Sequence, residues 1–332
     1  MAKKRIIPVF IPHLGCPNQC VFCDQRTISG VAKPVTPEIV HEQIAAALPS
    51  AGEYCELAFY GGSFTALPLR SQQDFFEAAA PFIHSGAVKS IRLSTRPDAI
   101  NDTVCTIMKK YGVDTVEIGC QSMDPEVLQL SRRGHTKEDT IYAVACLREH
   151  GFNVILQMMT GLPGDNGQQS VDTAKQIIAL HPDGVRIYPT VVLSGTELEQ
   201  RMNQGDYKPH TVQQAVYLCA VLYELFLEAG IPVIRLGLNP TDDLSGGKVV
   251  AGAYHPALGE LVLSRMYLQR ARELLAGKNG LHAVLSVHPK RISAMIGQKR
   301  CNTLTLQQEF GLQSLKILPE EEELWSISGT RW

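Results

Sequence analysis

Three cysteines near the N-terminus, Cys16, Cys20 and Cys23, are the residues whose type and spacing most directly predict chemistry. Gly15 and Pro17 keep the surrounding backbone out of regular structure, so the three sulfurs can converge on one centre. Thiolates select soft metals: zinc, copper(I) or iron–sulfur clusters. A cubane cluster needs four ligands, so three cysteines leave one iron open to a small molecule.

The same cysteines also allow a closed zinc site. Together with His13 they would complete a Cys3His tetrahedron. Cysteine and histidine clusters in cytosolic chains are often structural zinc sites. On the cysteines alone the two interpretations stand equal, and the rest of the chain has to separate them.

Composition limits the compartment and the partners. The 332 residues are 45% hydrophobic, enough for a substantial core. Nine cysteines without a secretory leader predict a reducing compartment, with cytoplasm as the default. The run from Ile6 to Ile11 is short and contains Pro8, which favours a first β-strand over a signal peptide, and no run is long enough to span a membrane. The net charge of -2 predicts no global attraction to nucleic acid.

Strands and helices alternate along the first two-thirds of the chain. Strands are predicted at 6–11, 56–60, 88–95, 115–119, 153–159 and 184–188, with helices at 36–48, 71–83, 124–130 and 137–150. Such alternation predicts a parallel sheet whose functional loops lie at the carboxyl ends of the strands. We therefore expect an α/β fold, a partial (β/α)6 TIM-like barrel with a small C-terminal α+β extension.

The spacing C-x-x-x-C-x-x-C, with Phe22 before the last cysteine, resembles the radical S-adenosylmethionine (radical SAM) superfamily. The resemblance implies that Cys16, Cys20 and Cys23 ligate a [4Fe–4S] cluster. It further implies that S-adenosylmethionine binds the fourth iron and is cleaved reductively to a 5′-deoxyadenosyl radical. A one-electron donor of the flavodoxin or ferredoxin type is then required as a partner.

Loops after the later strands extend this resemblance. The residues that it implies for cofactor binding are Phe22, Gly61, Gly62, Ser63, Thr95, Arg133 and Gln157. Arg133 suits a cofactor carboxylate, because a guanidinium binds a carboxylate through two hydrogen bonds. Without the motif, Gly61-Gly62 would be an ordinary turn and Arg133 a solvated surface residue. Ser63 differs from the many relatives that carry an acidic residue there.

The segments Gln121-Ser122, 132–136 and 183–196 resemble the radical domain of the elongator catalytic subunit family, which modifies wobble uridine in transfer RNA. This resemblance covers roughly the first two-thirds of the chain and implies an RNA substrate. Elongator-type proteins have a longer insertion between the first two cysteines and end in an acetyltransferase domain, for which the residues after Asn239 are too few. Their carboxymethylating reaction is therefore not transferred to this chain.

The segment 281–319 reads as strand, helix, basic turn, helix and strand. This order resembles a degenerate KH module, whose G-x-x-G loop binds nucleic-acid backbone. Gly297, Lys299 and Arg300 would then contact nucleic acid, although Arg300 replaces the second glycine. A small α+β cap with exposed basic residues remains an equal alternative. The predicted divisions are a barrel at 1–238, a loop and helix at 239–280, the KH-like segment at 281–319 and an acidic tail at 320–332.

Two other functions remain open at this stage. Coproporphyrinogen dehydrogenase-like relatives share the cysteine spacing and act on a small molecule, and a non-catalytic zinc and RNA-binding protein would use the cysteines structurally. The remaining cysteines occur singly and are interpreted as buried small hydrophobic residues: Cys55, Cys105, Cys120, Cys146, Cys219 and Cys301. The oligomeric state, the electron donor and the atom modified do not follow from the residues.

Overall fold

A computed structural model describes residues 5–11, 13–30, 35–51, 55–242, 244–277, 282–321 and 327–331. The chain divides into two compact units. The first comprises Met1–Thr211 and Leu222–Tyr254, and the second comprises Val212–Val221 and His255–Trp332. These boundaries differ from the predicted barrel limit at residue 238, because the segment up to Tyr254 clusters with the first unit.

A seven-stranded parallel sheet forms the centre of the first unit. The strands of this unit are β1 (Arg5–Phe10), β2 (Cys55–Tyr60), β3 (Ser90–Thr95), β4 (Val113–Gln121), β5 (Asn153–Thr160), β6 (Gly184–Pro189), β7 (Val191–Leu193), β8 (Val233–Leu236) and β9 (Val249–Gly252). Strands β1 to β6 follow one another in the sheet, and β8 pairs with β6. The predicted six-stranded partial barrel is thus extended by a seventh strand, and the sheet curls into a half-barrel.

Helices cover the sheet between successive strands. They are α1 (Gln25–Ser29), α2 (Pro37–Ala51), α3 (Leu69–His84), α4 (Asp102–Lys110), α5 (Pro125–Leu130), α6 (Lys137–Glu149), α7 (Gln168–Ala179) and α8 (Glu197–Gln204). Helix α9 (Val212–Glu228) is divided between the two units. Side chains on the helix-facing side of the strands, such as Leu57, Phe59 and Val116, are fully buried. This layer is the hydrophobic core that parallel sheets require.

Beyond β6, two short strands form an antiparallel ladder. Val191 pairs with Gly252 and Leu193 with Val249, which joins β9 to the exit of β6. A Cβ atom on Gly252 would lie 2.9 Å from the carbonyl oxygen of Thr190, so only glycine allows this approach. The ladder explains why residues up to Tyr254 belong to the first unit.

The second unit contains α10 (Leu258–Leu275), β10 (His282–Val287), α11 (Ile292–Ile296), α12 (Cys301–Phe310), β11 (Ser314–Pro319) and β12 (Ile327–Arg331). Strand β10 lies in the middle of a three-stranded sheet, parallel to β11 and antiparallel to β12. The described order of β10, α11, turn, α12 and β11 follows the predicted pattern. The predicted acidic tail is wrong at residues 327–331, because these residues form β12 and pair with the edge of β10. Residues 322–326 of that tail lie outside the described residues.

Within the described parts of the chain, no helix has both the length and the apolar character needed to cross a membrane.

Candidate cluster and cofactor site

The cysteine loop leaves the sheet at the carboxyl end of β1 and stays hydrogen-bonded to the loop after β2. The His13 amide donates to the Gly61 carbonyl at 3.0 Å, and the Ser63 amide donates to the Leu14 carbonyl at 2.9 Å. A Cβ on Gly62 would lie 2.5 Å from that Leu14 oxygen. The backbone of the Gly61-Gly62 turn therefore lies directly against the cysteine loop, and glycine is required for this approach.

Aromatic side chains on both sides of the Gly61-Gly62 turn pack against one another. The rings of Phe59 and Phe64, which precede and follow the turn, are 4.8 Å apart between centroids. Both side chains are fully buried, and Phe76 of α3 packs on them. The turn is thus anchored on each side by the core, which keeps its exposed backbone in place.

The three predicted ligands are free thiols that influence one another. Burial raises the pKa of the Cys23 thiol to about 12, and the negative charges of Cys20 and Cys16 add to this rise. Partial burial of its sulfur also raises the pKa of Cys16, opposed by a hydrogen bond to Ser63 and by the positive charge of Arg133. The raised pKa values of Cys16 and Cys23 mean that a positively charged centre would be needed to ionise both thiols, which fits ligation of a metal cluster.

The closed zinc tetrahedron is not supported by this geometry. His13 already accepts a hydrogen bond at Nε2 from the Gln25 amide, at 3.0 Å. Among the described residues, one group has three metal-binding donor atoms within 4.8 Å of one another, and these cysteines are not part of it. One zinc ion would need such close donors, whereas a cubane spreads its thiolates over different irons.

Arg133 is buried beside the cysteine loop and is only 8% exposed. Its Nη1 donates to Cys20 Sγ at 3.3 Å, and its Nη2 donates to the Gly119 carbonyl at 2.7 Å. Its Nε is buried without a hydrogen-bond partner. A surface arginine is therefore excluded, and the unpaired donor fits a carboxylate-bearing ligand at this position.

The cysteine loop docks onto the segment that carries Arg133. The Asn18 side-chain amide donates to the Arg133 carbonyl at 3.3 Å, and the Val21 amide donates to the Ser131 carbonyl at 3.3 Å. A Cβ on Gly134 would lie 1.9 Å from Asn18 Nδ2. The segment then enters α6 through a capping box formed by Thr136 and Asp139. The arginine is thus fixed between a helix start and the cysteine loop.

Thr95 is the last residue of β3, and Gln157 lies within β5, three residues before its end. The Thr95 hydroxyl is 2.6 Å from the Thr65 hydroxyl and accepts the Thr65 amide, so it orients the segment after the glycine turn. Gln157 donates to Gln121 Oε1 at 3.3 Å, across a register shift in the pairing of β4 with β5. Both side chains face protein partners in the structure, and their contact with a cofactor stays a prediction.

Phe22 packs in an apolar cluster. Its neighbours there are Val127, Leu162, Leu198 and Tyr207. The cofactor-binding role implied for Phe22 stays a prediction, while its packing secures the last turn of the cysteine loop.

Two buried groups near the cysteines were missed by the sequence analysis. Arg96 is buried and donates through two nitrogens to Asp98, each at 2.9 Å. His135 is buried, its Nε2 is 3.2 Å from the Cys120 carbonyl, and its Nδ1 has no hydrogen-bond partner. Burial lowers the pKa of His135 to about 4, with further lowering by Arg133 and Arg96. His135 is therefore neutral at physiological pH.

A network of charged side chains lies on the inner face of the sheet and was also missed. Glu117, only 3% exposed, accepts hydrogen bonds from Tyr60 (3.0 Å), Arg92 (3.0 Å) and Arg186 (2.7 Å). Arg92 also pairs with Glu56 at 2.8 Å. These residues come from four strands of the sheet: β2, β3, β4 and β6. The signal was present, because a polar residue recurs on the same face of each strand with a period of two.

A cavity of about 1030 Å³ opens beside the cysteine loop. Cys20 and Cys23 line one side, and Arg132, Glu197 and Arg201 line another. The two arginines pair with Glu197, so the cavity wall has little net positive charge. Because two of the three cysteines border this space, the loop is not sealed inside the protein.

The predicted nucleic-acid residues lie in the second unit. Gly297, Lys299 and Arg300 have positive φ angles of 76°, 52° and 62°, and the two basic residues are exposed. A Cβ on Gly297 would lie 2.6 Å from Cys301 Sγ, so glycine is required at the start of this turn. The left-handed backbone at Lys299 and Arg300 is uncommon for residues with a side chain and projects both cations from a tight turn.

Comparison with known protein families matches residues 10–177 to the radical SAM superfamily and residues 182–268 to the radical SAM C-terminal domain. The tRNA uridine(34) acetyltransferase of Methanocaldococcus infernus is 29% identical over 303 residues, 79% of this chain and 56% of that protein. Elongator complex protein 3 of Homo sapiens is 29% identical over 64% of this chain and 41% of its own length. The chain thus spans about half the length of these relatives.

Solved structures share the fold. The archaeal Elp3 of Methanocaldococcus infernus, with an N-terminal deletion, superposes with a TM-score of 0.62 at 24% identity over 80% of this chain and 63% of that one. Coproporphyrinogen III oxidase of Escherichia coli gives a TM-score of 0.52 at 19% identity, covering 69% and 54%. From its family match, its cysteine loop and its half-barrel, this chain belongs to the radical SAM superfamily, and its homologues are the Elp3 and tRNA uridine(34) acetyltransferase proteins.

Proposed function

We propose that this chain is a radical SAM enzyme that holds a [4Fe–4S] cluster on Cys16, Cys20 and Cys23 and modifies RNA, specifically transfer RNA. The observation that carries the proposal is the buried Arg133, which contacts Cys20 Sγ at 3.3 Å and keeps an unpaired Nε. Cationic neighbours of this kind stabilise thiolates and bind carboxylates, and a radical SAM site needs both.

The bound cofactors supply the chemistry, namely reductive cleavage of S-adenosylmethionine to methionine and a 5′-deoxyadenosyl radical. The protein supplies position and exclusion of water. Gly61 and Gly62 would present backbone groups to the methionyl amine, and Arg133 would bind the methionyl carboxylate. The Ser63 hydroxyl accepts from the Cys16 thiol at 3.9 Å and would orient that sulfur. Gln157 of β5 and Thr95 at the end of β3 would contact the rest of the cofactor.

Two features favour RNA as the substrate. The relatives at 29% identity are tRNA uridine(34) acetyltransferases and Elongator complex protein 3, although this chain spans only about half their length. The second unit carries an exposed basic turn at Lys299 and Arg300, which suits phosphate contacts. The inner face of the half-barrel, with Glu117, Arg92 and Tyr60, offers hydrogen-bonding groups suited to a polar substrate. Acetyl transfer by those relatives is not part of the proposal.

The test is an anaerobic reconstitution with iron and sulfide, followed by S-adenosylmethionine and dithionite as the electron source. 5′-Deoxyadenosine is measured with intact bulk transfer RNA, with the same RNA digested to nucleosides, and without RNA. We expect product formation to rise only with intact transfer RNA. Product that is equal in all three reactions would overturn the RNA assignment and favour a small-molecule substrate. Absence of product from a chain with four irons would overturn the radical SAM assignment itself.

A further inference from the structure

A second group of metal-binding side chains lies away from the cysteine loop, between helices α4 and α6. Within the described residues, Cys105, Cys146 and His150 are the three whose donor atoms all lie within 4.8 Å of one another. Both cysteines are buried and His150 is half-buried. Cys105 and Cys146 are buried, as predicted, but they are not isolated, because tertiary structure brings their sulfurs to 3.7 Å.

The sulfur–sulfur separation in this group matches an edge of a tetrahedron around one zinc ion. Zinc binds sulfur at about 2.3 Å and nitrogen or oxygen at about 2.0 Å, which gives edges of about 3.3 to 3.8 Å. The two sulfurs are 3.7 Å apart. Asp102 Oδ1 lies 3.7 Å from Cys146 Sγ and 3.8 Å from His150 Nε2, although Asp102 is not one of the three residues whose donor atoms all lie within 4.8 Å of one another. The Asp102 carboxylate thus borders two of the three donors.

The histidine is held in an orientation suited to metal binding. Its Nδ1 lies 2.9 Å from the Cys146 carbonyl, which can only accept, so Nδ1 carries the proton and donates. The remaining nitrogen, Nε2, lies 3.8 Å from Asp102 Oδ1. A metal cation that replaces the proton on Nε2 would be bound by both groups. A backbone hydrogen bond to the other ring nitrogen is also the usual support for a histidine ligand.

Helix periodicity explains how the group is assembled. Cys146 and His150 are four residues apart at the end of α6, and Asp102 and Cys105 are three apart at the start of α4, so each pair shares one helix face. Asn101 caps α4 through the Val104 amide and fixes the position of that first turn. The Asp102 side chain is 77% exposed, which leaves an entry path from solvent.

We propose that Cys105, Cys146 and His150 form a structural zinc site that clamps α4 to α6, with the exposed Asp102 carboxylate rotating inward to complete the tetrahedron. Binding converts both thiols to thiolates and releases two protons to solvent, with no redox change. Burial together with Cys146 raises the pKa of the Cys105 thiol to about 12, so the metal-free thiols are neutral and tolerate burial. Helix α4 follows the loop of Arg96, and α6 follows the segment of Arg133. The clamp would therefore hold together the two helices behind these buried cations.

The experiment separates this site from the cysteine loop. The background is the full chain with Cys16→Ala, Cys20→Ala and Cys23→Ala, stripped with chelator, kept reduced and then supplied with Zn²⁺ or Co²⁺ alone. We expect one zinc per chain by elemental analysis. With Co²⁺ we expect thiolate-to-metal charge-transfer absorption and the strong visible bands of tetrahedral cobalt.

Two added substitutions test the ligands. His150→Gln, at a half-buried position, should weaken zinc affinity at least about tenfold, whereas His84→Gln on α3 should not. Cys105→Ser should lower the charge-transfer absorption to about half or less, because one of the two thiolates is lost, whereas Cys55→Ser, equally buried on β2, should keep it. The His150 variant keeps the test decisive if the buried serine prevents folding.

Three results would overturn the proposal. The first is a reduced background chain that binds no zinc. The second is zinc binding that is insensitive to both His150→Gln and Cys105→Ser. The third is a Cys105–Cys146 disulfide, seen as a loss of two titratable thiols that added zinc does not prevent.

Discussion

The two groups of cysteines in the first unit are built in opposite ways. Cys16, Cys20 and Cys23 lie on an irregular loop beside the buried cations Arg133 and Arg96, whereas Cys105 and Cys146 lie on two helices beside the carboxylate of Asp102. An irregular loop lets three sulfurs spread around a cluster of several irons. Cationic neighbours stabilise the thiolates that would ligate such a cluster. Helix faces bring two sulfurs to 3.7 Å, the spacing of a single divalent ion.

The largest effect is expected from removing a loop thiol. Cys16→Ala should reduce both cluster iron and 5′-deoxyadenosine formation to background, because three ligands are the minimum for an open-iron cubane. Cys301→Ala is the matched control, since both cysteines are exposed. Iron content and product are measured on the same reconstituted samples. Retention of four irons by Cys16→Ala would break the contrast between the two cysteine groups.

The cationic character of the loop site is tested next. Arg133→Gln removes a charged hydrogen bond to Cys20 and the proposed carboxylate contact, and should raise the KM for S-adenosylmethionine about tenfold to a hundredfold. Cluster iron should remain. Arg132→Gln changes the exposed neighbouring arginine and should leave the KM within about twofold. An equal KM in the two variants would show that the buried guanidinium does not bind the cofactor.

The two histidines provide a third contrast. His150 lies against a carboxylate, whereas His135 is surrounded by Arg133 and Arg96, and its pKa is lowered to about 4 from an ordinary 6.5, mainly by burial. The unfolded chain then binds the proton more tightly than the folded chain. His135 therefore stabilises fully above pH 6.5, and its contribution is lost as the pH falls from 6.5 toward 4.

The corresponding measurement is chemical denaturation at pH 7.5 and pH 4.5 under reducing conditions. His135 should account for a loss of about 2 to 3 kcal/mol in the free energy of unfolding between these values. In His135→Gln the loss of unfolding free energy between the two pH values should be smaller than in the wild type by this amount. Glutamine can still donate to the Cys120 carbonyl, but it does not titrate. His84→Gln should keep the wild-type pH dependence, and an unchanged pH dependence in His135→Gln would contradict the assignment.

The smallest effect is expected from the exposed cations of the second unit. Lys299→Ala with Arg300→Ala should weaken transfer RNA binding a few-fold and reduce the slope of log affinity against log salt by about 2. Lys316→Ala, another exposed basic residue of this unit, is the control. Transfer RNA binding is measured at several salt concentrations. If the double variant and Lys316→Ala bind equally well at each of them, the small α+β cap is favoured over the KH-like interpretation.

The alternation of strands and helices was readable from the sequence because each element carries its own local pattern. The strand predicted at 153–159 was located to within one residue, and the helix predicted at 137–150 begins directly after the cap at Thr136. The seventh strand of the sheet, at 233–236, was not among the six predicted for the barrel. Its pairing with β6 depends on a contact with a strand about fifty residues earlier, which no local pattern contains.

The sequence by itself determined the half-barrel, the cysteine loop after its first strand and the glycine turn after its second, because periodicity, breakers and ligand spacing are local properties of the chain. Only the tertiary structure decided which side chains meet. It buried Arg133 against Cys20, neutralised His135 and joined Glu117 to side chains of three other strands. It also brought Cys105 to Cys146 across 41 positions of sequence. Burial and charge interactions depend on distance in space and not on separation in sequence. The proposed zinc ligands Cys105 and Cys146 therefore meet only when α4 and α6 pack together.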